Sequence, residues 1–383
     1  MNNLKATGRY TLLCIACLII MVGALVAPGL VTISSALGVA DNAILLVTLP
    51  AFGAVIFAPI AGKLIDKYGA YKSLLVGLFL YGFLGSSVYW LYGPTLVFAN
   101  RILLGGVTSI IMASSTLLIS QWYFGEDRLK MIAQQGMAIE LGGVIFLFFG
   151  GFFAVQHWAL PLSLYLIAWL FLLMLLLFVP RNSPIKQQES ISNETNGVDN
   201  GFTLKSVYMI AVLSMTAFFS TFVLLPTTMH KQAYSEDNIG LLLAFISLIA
   251  VVAANFMPKV IKLFGEQKVL AIAFTSYAIS SVFFLQAGTS FLVIGAIFCG
   301  VGFGFSIPLL NHMTVERSNE KVRGRNLSYF TMAVFSGQFL TSFIEHIPGD
   351  EENVFILCIA CCLLITMALL IKHLNSHKTL TQK

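Results

Sequence analysis

Charge is what this chain has least of. Only 10% of its 383 residues are Asp, Glu, Lys or Arg, while 58% are hydrophobic; a soluble domain carries roughly 25% charged residues. So few ions cannot cover a water-facing surface, which excludes a soluble globular fold. Catalytic signatures are missing as well. There is no P-loop G-x4-G-K-[ST], no HExxH and no GxSxG. Gly302-x-Gly304 lies inside an apolar run, without a following strand–helix context, and reads as helix packing. His, Asp and Glu do not cluster at one depth, as a membrane-embedded enzyme would require, so no enzymatic activity is expected. Segments of about ten alternating residues, the mark of a transmembrane barrel, are also lacking. Cysteine is sparse and sits in apolar runs. Cys14/Cys17 and Cys358/Cys361 have a CxxC-like spacing, but no His or second CxxC completes a metal set. No metal and no cofactor are expected.

What the chain has is apolar runs long enough to cross a bilayer, about 20 residues each. They fall near 10–35, 43–62, 73–92, 95–120, 131–155 and 158–179, then near 203–229, 237–258, 268–288, 290–313, 326–347 and 353–372. The first is too long for a secretory h-region and has no small-residue cleavage site, so it is expected to be retained. Between the two sets of six, residues 180–202 are rich in Asn, Ser, Gln, Glu and Gly, the composition of a flexible linker. The expectation is an all-α polytopic membrane protein with twelve transmembrane helices. Residues 1–179 form one six-helix bundle, 180–202 a cytoplasmic linker, 203–373 a second bundle and 374–383 a cytoplasmic tail.

The basic residues set the orientation. With the N-terminus inside, 20 of the 22 Lys and Arg fall on inside segments. The outer turns are acidic or neutral, as at Asp41 and Asp350-Glu351-Glu352. That is the positive-inside asymmetry, with both termini cytoplasmic. It also accounts for the net charge of +5, so no nucleic-acid partner is implied.

The two sets of six also repeat. Gly62-x3-Asp66-x2-Gly69-x2-Lys72 is echoed roughly 196 residues later by Pro258-x3-Lys262-x2-Gly265-x2-Lys268. Pro28 and Pro226 stand late in the first span of each set. Gly105-Gly106-Val107 is echoed by Cys299-Gly300-Val301, and Arg128 by Arg323. Repeats of this kind build many secondary transporters, with a midplane site between the halves and alternating access by rocking.

Twelve spans, a central linker and a charged, glycine-bounded turn expected over Gly62–Lys72, an elbow between two apolar runs, together resemble the major facilitator superfamily over essentially the whole chain. The stretch resembles the superfamily's motif A, G-x3-D-[RK]-x-G-x-[RK]-[RK], with Tyr71 in place of the first basic residue of the final pair. Asn100-Arg101-Ile102-Leu103-Leu104-Gly105 resembles motif B. Ala27-Pro28-Gly29, Trp158 and Arg323-Gly324-Arg325 make the layout similar to the twelve-helix drug:proton antiporter type. The antiporter motif of span 5 is incomplete: Leu141-Gly142 and Gly150-Gly151 are present, but Phe146-Leu147 stands where Gly-Pro belongs. The kink which that motif supplies is therefore in question, and with it antiport.

Two ionisable residues lie well inside predicted spans, Arg101 and Glu140. A charge near the bilayer centre costs about 2.5–3.5 kcal/mol or more and normally faces a partner or a cavity. Arg101 is expected either to hold an anionic group in a cavity or to bond backbone carbonyls as a structural cation. Glu140 is the candidate intramembrane proton carrier, against a neutral packing role. Counted along their helices at about 1.5 Å per residue, Arg101 and Glu140 lie roughly 30 and 13 Å from the inner face, too far apart to touch. Gln135, Asn311, His312 and Gln338 are weaker cavity candidates. Gly62, Asp66, Lys67, Gly69 and Lys72 are expected to form a cytoplasmic gate, with Asp66 latching onto the start of span 11 near Asn326–Ser328.

The resemblance implies a monomeric transporter of the bacterial inner membrane, exporting a small drug-like, metabolite or siderophore-like compound in exchange for protons. Proton-coupled uptake of a small organic anion stays open. A non-transporting sensor or scaffold is a third possibility, although it predicts a large loop domain and the longest loop has about 22 residues.

Overall fold

A computed structural model describes residues 4–43, 45–181, 203–232, 234, 236–286, 288–341, 343 and 351–381. Most of the linker expected over 180–202 therefore lies outside the described residues. The elements are helical throughout, with no strand among the described residues. In chain order they are α1 (Ala6–Ala24), α2 (Leu30–Ala36), α3 (Leu45–Tyr68), α4 (Ala70–Ser87), α5 (Pro94–Trp122), α6 (Gly125–Gln156), α7 (Leu160–Ser163) and α8 (Ile167–Phe178). The second half holds α9 (Leu204–Lys231), α10 (Glu236–Phe264), α11 (Glu266–Phe284), α12 (Thr289–Glu316), α13 (Arg323–Leu340) and α14 (Glu351–Thr381).

Eleven candidate spans among the described residues are long and apolar enough to cross a membrane. α13 is the helix that falls short, because it carries Arg323, Arg325, Asn326, Ser328 and Gln338 in 18 residues. Its position explains the exception. It is packed against α3, α5, α9 and α12, and a helix shielded from lipid need not be apolar all round.

Several helix limits differ from the sequence expectation. The first apolar run is broken at Pro28-Gly29 into α1 and α2, since proline lacks an amide donor and clashes with the preceding turn. The sixth is similarly divided, at a short 3-10 turn over Leu164–Leu166. α6 starts at Gly125, six residues ahead of the expected span, and α14 continues to Thr381, through what was expected to be a tail. The stretch Gly62–Lys72 is not an extended turn. Gly62 to Tyr68 finish α3, Ala70 opens α4, and Gly69 alone is non-helical, at φ 85°. Gly265 does the same between α10 and α11, at φ 80°. Glycine takes such a positive φ without a Cβ penalty, so one residue reverses the chain where the charged ends of two helices meet.

The helices pack in two pseudo-equivalent sets. In the first half α3 and α4 lie on α5, and α1 on α6; in the second, α10 and α11 lie on α12, and α9 on α13. Two long seams join the halves, α3 against α13 and α6 against α10, with α12 also touching α6. Their middle is apolar: Ile19, Ala51, Ala54 and Met112 of the first half share one buried cluster with Met215, Phe218, Phe303 and Phe335 of the second. Most Lys and Arg gather at one end of the molecule, called here the basic end. At the other, Tyr89, Trp90 and Tyr92 are exposed, and Tyr89 stacks on Trp158 at 5.6 Å. An aromatic girdle at that level fits a membrane–water interface.

Candidate functional site

The basic end is closed by contacts between the halves. At the foot of the α3/α13 seam, Arg325 N donates to Asp66 Oδ1 at 3.1 Å. The carboxylate thus meets the N-terminus of α13 one residue before the expected Asn326–Ser328. Helix N-termini have unpaired amides and favour negative charge, so this is a natural resting place for an acid. Two glycines let it get there. A Cβ on Gly62 would come within 2.8 Å of the Arg325 backbone, and one on Gly324 within 2.6 Å of Asp66 Oδ1. Lys67 and Lys72 are exposed, and neither forms an ion pair with Asp66 among the described residues; Lys67 lies over the Tyr68 ring. Tyr71, the departure from motif A, is buried and donates its hydroxyl to Leu175 O at 3.3 Å, fastening α4 to α8.

The α6/α10 seam closes at the same end by other means. Lys262 pairs with Glu126 in the first turn of α6 at 2.6 Å. Beside it, Arg128 Nη1 donates to Glu316 Oε1 of α12 at 2.7 Å, while its Nε and Nη2 donate to Tyr123 O and Ser120 O. His312, one turn above Glu316, is buried with Nδ1 unpartnered, and Glu316, Glu266, Arg128 and Arg317 are the charges around it. A cavity of about 250 Å³ remains at this end, lined by Asp66, Gly69, Gln121, Lys321 and Arg323 among others.

A polar floor lies deeper. Thr116 Oγ1 donates to Gln135 Oε1 and Gln135 Nε2 to Ser115 Oγ, each at 3.1 Å, joining α5 to α6. Asn311 Nδ2 of α12 reaches Thr116 Oγ1 at 3.5 Å across the halves. Gln135 and Asn311, expected separately as cavity residues, are thus neighbours. Gln338 is half-buried on α13.

Arg101 and Glu140 face different surroundings. Arg101 is 0% exposed, and its Nη1 donates to Tyr165 Oη at 3.2 Å. Tyr165 donates in turn to Val22 O, and Tyr81 donates to Leu18 O. The guanidinium is therefore enclosed within the first half, between α1, α4 and the turn before α8, with Nε and Nη2 unpartnered. Glu140 is 2% exposed and looks the other way, into the seam. The Ser247 side chain of α10 faces its carboxyl, with the Cys299 thiol of α12 in the same surroundings, and Oε2 has no hydrogen-bond partner. The early start of α6 puts Glu140 about 22 Å along its helix from the basic end, nearer the depth of Arg101 than expected. No ion pair joins the two.

Sequence reasoning missed Ser247, although a signal was there: it is the one polar residue between Leu241 and Ala254. It also missed Glu126 and Glu316, whose importance depends on helices nearly 140 and 190 residues away.

Comparison with known proteins gives this geometry a lineage. Residues 12–342 match the model of the Major Facilitator Superfamily. The chain belongs to that superfamily. It is 23% identical over 316 residues to Multidrug resistance protein 2 of Bacillus subtilis (strain 168), covering 77% of this chain and 78% of that protein. It is 25% identical over 276 residues to the Quinolone resistance protein NorB of Staphylococcus aureus (strain MSSA476), covering 68% of this chain and 53% of NorB. The chain thus spans about half the length of that relative. Among solved structures, the proton:xylose symporter XylE bound to 6-bromo-6-deoxy-D-glucose superposes with TM-score 0.77 at 16% identity, over 94% of both chains. A bacterial homologue of the iron transporter ferroportin, in its outward-facing state with soaked iron, gives 0.73 at 16% identity, over 96% of this chain and 98% of that one. These likenesses establish the fold. As a superfamily member the chain is an integral membrane transporter and not an enzyme.

Proposed function

We propose that this protein is a monomeric, proton-coupled exporter of small drug-like organic compounds in the bacterial inner membrane, with its basic end and both termini in the cytoplasm. The observation that carries the proposal is the placement of Glu140: a buried carboxyl in the seam between the halves, where rocking must change its surroundings. Desolvation penalises an ionised carboxylate, and hydration or a donor favours it. A carboxyl whose solvation changes with the direction of opening exchanges protons in step with that opening. The structure has its basic end shut by Asp66, Lys262 and Arg128, so in this orientation it is the form closed to the cytoplasm. Similarity to multidrug and quinolone resistance proteins supports export of drug-like compounds.

Arg101 enters this proposal as a fixed internal cation of the first half, since it has no exposed surface from which to grip a substrate. One observation favours the uptake alternative. α6 runs unbroken from Gly125 to Gln156, in keeping with the missing Gly-Pro of the antiporter motif.

Proteoliposomes with an imposed pH gradient decide between the two. Export coupling predicts that substrate moves against the proton flux, and symport that it moves with it. Glu140→Gln is expected to abolish the response to the gradient while leaving the folded protein intact. Unchanged coupling in that variant removes Glu140 from the role.

A further inference from the structure

Ser247 is the lone polar residue in its stretch of α10, it is buried, and its side chain meets Glu140 across the α6/α10 seam. The pseudo-symmetry makes this meeting more telling. On the α3/α13 seam, counted from the Gly62/Pro258 and Arg128/Arg323 pairs of the repeat, the positions that correspond to Ser247 and Glu140 are Ala51 and Phe335. Both are buried in the apolar cluster between the halves. The matching positions are thus apolar on one seam and an acid and a hydroxyl on the other. An apolar filling is sufficient for packing there, as the α3/α13 seam demonstrates.

We infer that Ser247 is the positioning residue that lets the second half sense the protonation of Glu140. With the basic end closed, the Ser247 hydroxyl is placed to donate to the carboxylate and offset part of its burial; Glu140 Oε2 has no hydrogen-bond partner. When α6 and α10 part, that donor is lost and cytosolic water takes its place. The carboxyl then holds its proton with different strength in the two forms, which is the thermodynamic content of coupling. This rests on Glu140 being the proton carrier.

The surroundings leave few competitors for this role. On α12 the titratable group that faces it is the Cys299 thiol, which is set beside the Thr221 and Ser280 hydroxyls. On α1 it is Cys17, whose Sγ donates to Ala138 O at 3.0 Å, beside Cys14. Arg101 of α5 is turned into the first half. Glu126 and Arg128 of α6, Lys259 and Lys262 of α10, and His312 and Glu316 of α12 lie toward the basic end. Glu236 and Asp237 stand at the opposite end of α10.

The test is the pH profile of transport in proteoliposomes for Ser247→Ala, Ser247→Thr, Glu140→Gln and the double variant. Loss of a donor to a charged group is worth about one pH unit. Ser247→Ala is expected to move the midpoint alkaline by about that much, and Ser247→Thr, which keeps the hydroxyl, to restore it. In the Glu140→Gln background Ser247→Ala is expected to change nothing further. If Ser247→Ala does not accumulate in the membrane, Ser247→Cys, a weaker donor, is expected to give a smaller shift in the same direction. An unshifted midpoint in a folded variant overturns the inference while leaving Glu140 as carrier. Full coupling in Glu140→Gln overturns the carrier itself.

Discussion

The two halves share a plan and fill it with different chemistry. Tyr81 and Tyr277 stand at matching positions of the repeat, both buried, and each hydroxyl reaches the first helix of its own half, at Leu18 O (2.7 Å) and Ser214 Oγ (3.3 Å). Around Tyr277 the network is neutral: Ser214 donates to Ser306 at 2.6 Å, and Tyr277 also meets Ser306. Around Tyr81 it contains a full charge, Arg101, held by Tyr165. Three hydroxyls are enough to knit α9, α11 and α12 together. A cation beside this tyrosine is therefore not a requirement of the architecture, and it costs several kcal/mol in desolvation unless well bonded. The difference teaches that the first half carries an electrostatic burden which packing alone does not explain.

The largest effect is expected where that burden lies. Arg101→Ala deletes a fully enclosed side chain and leaves a void between α1, α4 and α5. Truncations of large buried side chains cost about 2–5 kcal/mol, so a sharply lowered thermal unfolding temperature in detergent is expected. Arg101→Met, which refills the volume without the charge, is expected to recover most of the loss, because Tyr165 keeps its bond to Val22 O. The corresponding test of the neutral side is built in, since the network around Tyr277 is made by Ser214 and Ser306 without an arginine. If Arg101→Met is as unstable as Arg101→Ala, the charge itself is structural. If Arg101→Met is stable but no longer responds to a pH gradient, the cation belongs to the coupling machinery.

How far this contrast could be read from sequence depends on the range of the interaction. The apolar runs, the repeat and the basic end are written locally, because bilayer thickness and the positive-inside asymmetry act on each segment separately. Asp66 at the start of α13 was also legible, since motif A carries a lone carboxylate and a helix N-terminus is its natural partner. The direction in which a buried charge faces was not. Arg101 and Glu140 both lie in apolar runs; whether a residue on α5 turns toward Tyr165 or a residue on α6 toward Ser247 is fixed by helix rotation, which hydropathy does not encode in helices apolar on every side. The segment Gly62–Lys72 was misread as a turn for a related reason. Its charges mark the edge of the membrane and not the end of the helix, which runs on until Gly69.

The comparison of the two seams predicts a smaller, measurable asymmetry. Asp66 bonds directly to the amide of Arg325 at a helix N-terminus, a contact worth about 1 kcal/mol in capping series. Asp66→Ala is expected to shift the balance toward the form open at the basic end by about five-fold. The readout is modification of a cysteine introduced beneath the Asp66–Arg325 contact by a membrane-impermeant thiol reagent, in inverted vesicles and in a background lacking reactive native thiols. Asp66→Asn keeps an acceptor and loses the charge, so it is expected to fall between wild type and Asp66→Ala. Equal accessibility in all three would separate the elbow from the gate.

The smallest effect is expected at the elbow's counterpart. Lys262 and Glu126 are 51% and 63% exposed although their charged atoms are 2.6 Å apart. Exposed pairs of this kind contribute little, because water screens them and two long side chains must be ordered. Glu126 in addition lies in the first turn of α6, where the helix N-terminus favours it with or without a lysine. Lys262→Ala is therefore expected to change accessibility at the basic end by about two-fold or less at low salt, and not at all in about 1 M salt, where the screening length falls to about 3 Å. The Asp66 effect, made through a backbone hydrogen bond, is expected to survive the same salt. An equal salt dependence at both seams would show that the gate is governed by net charge at the basic end. A persistent difference would mean that motif A acts through the capped N-terminus of α13, which its echo at Lys262 cannot reproduce.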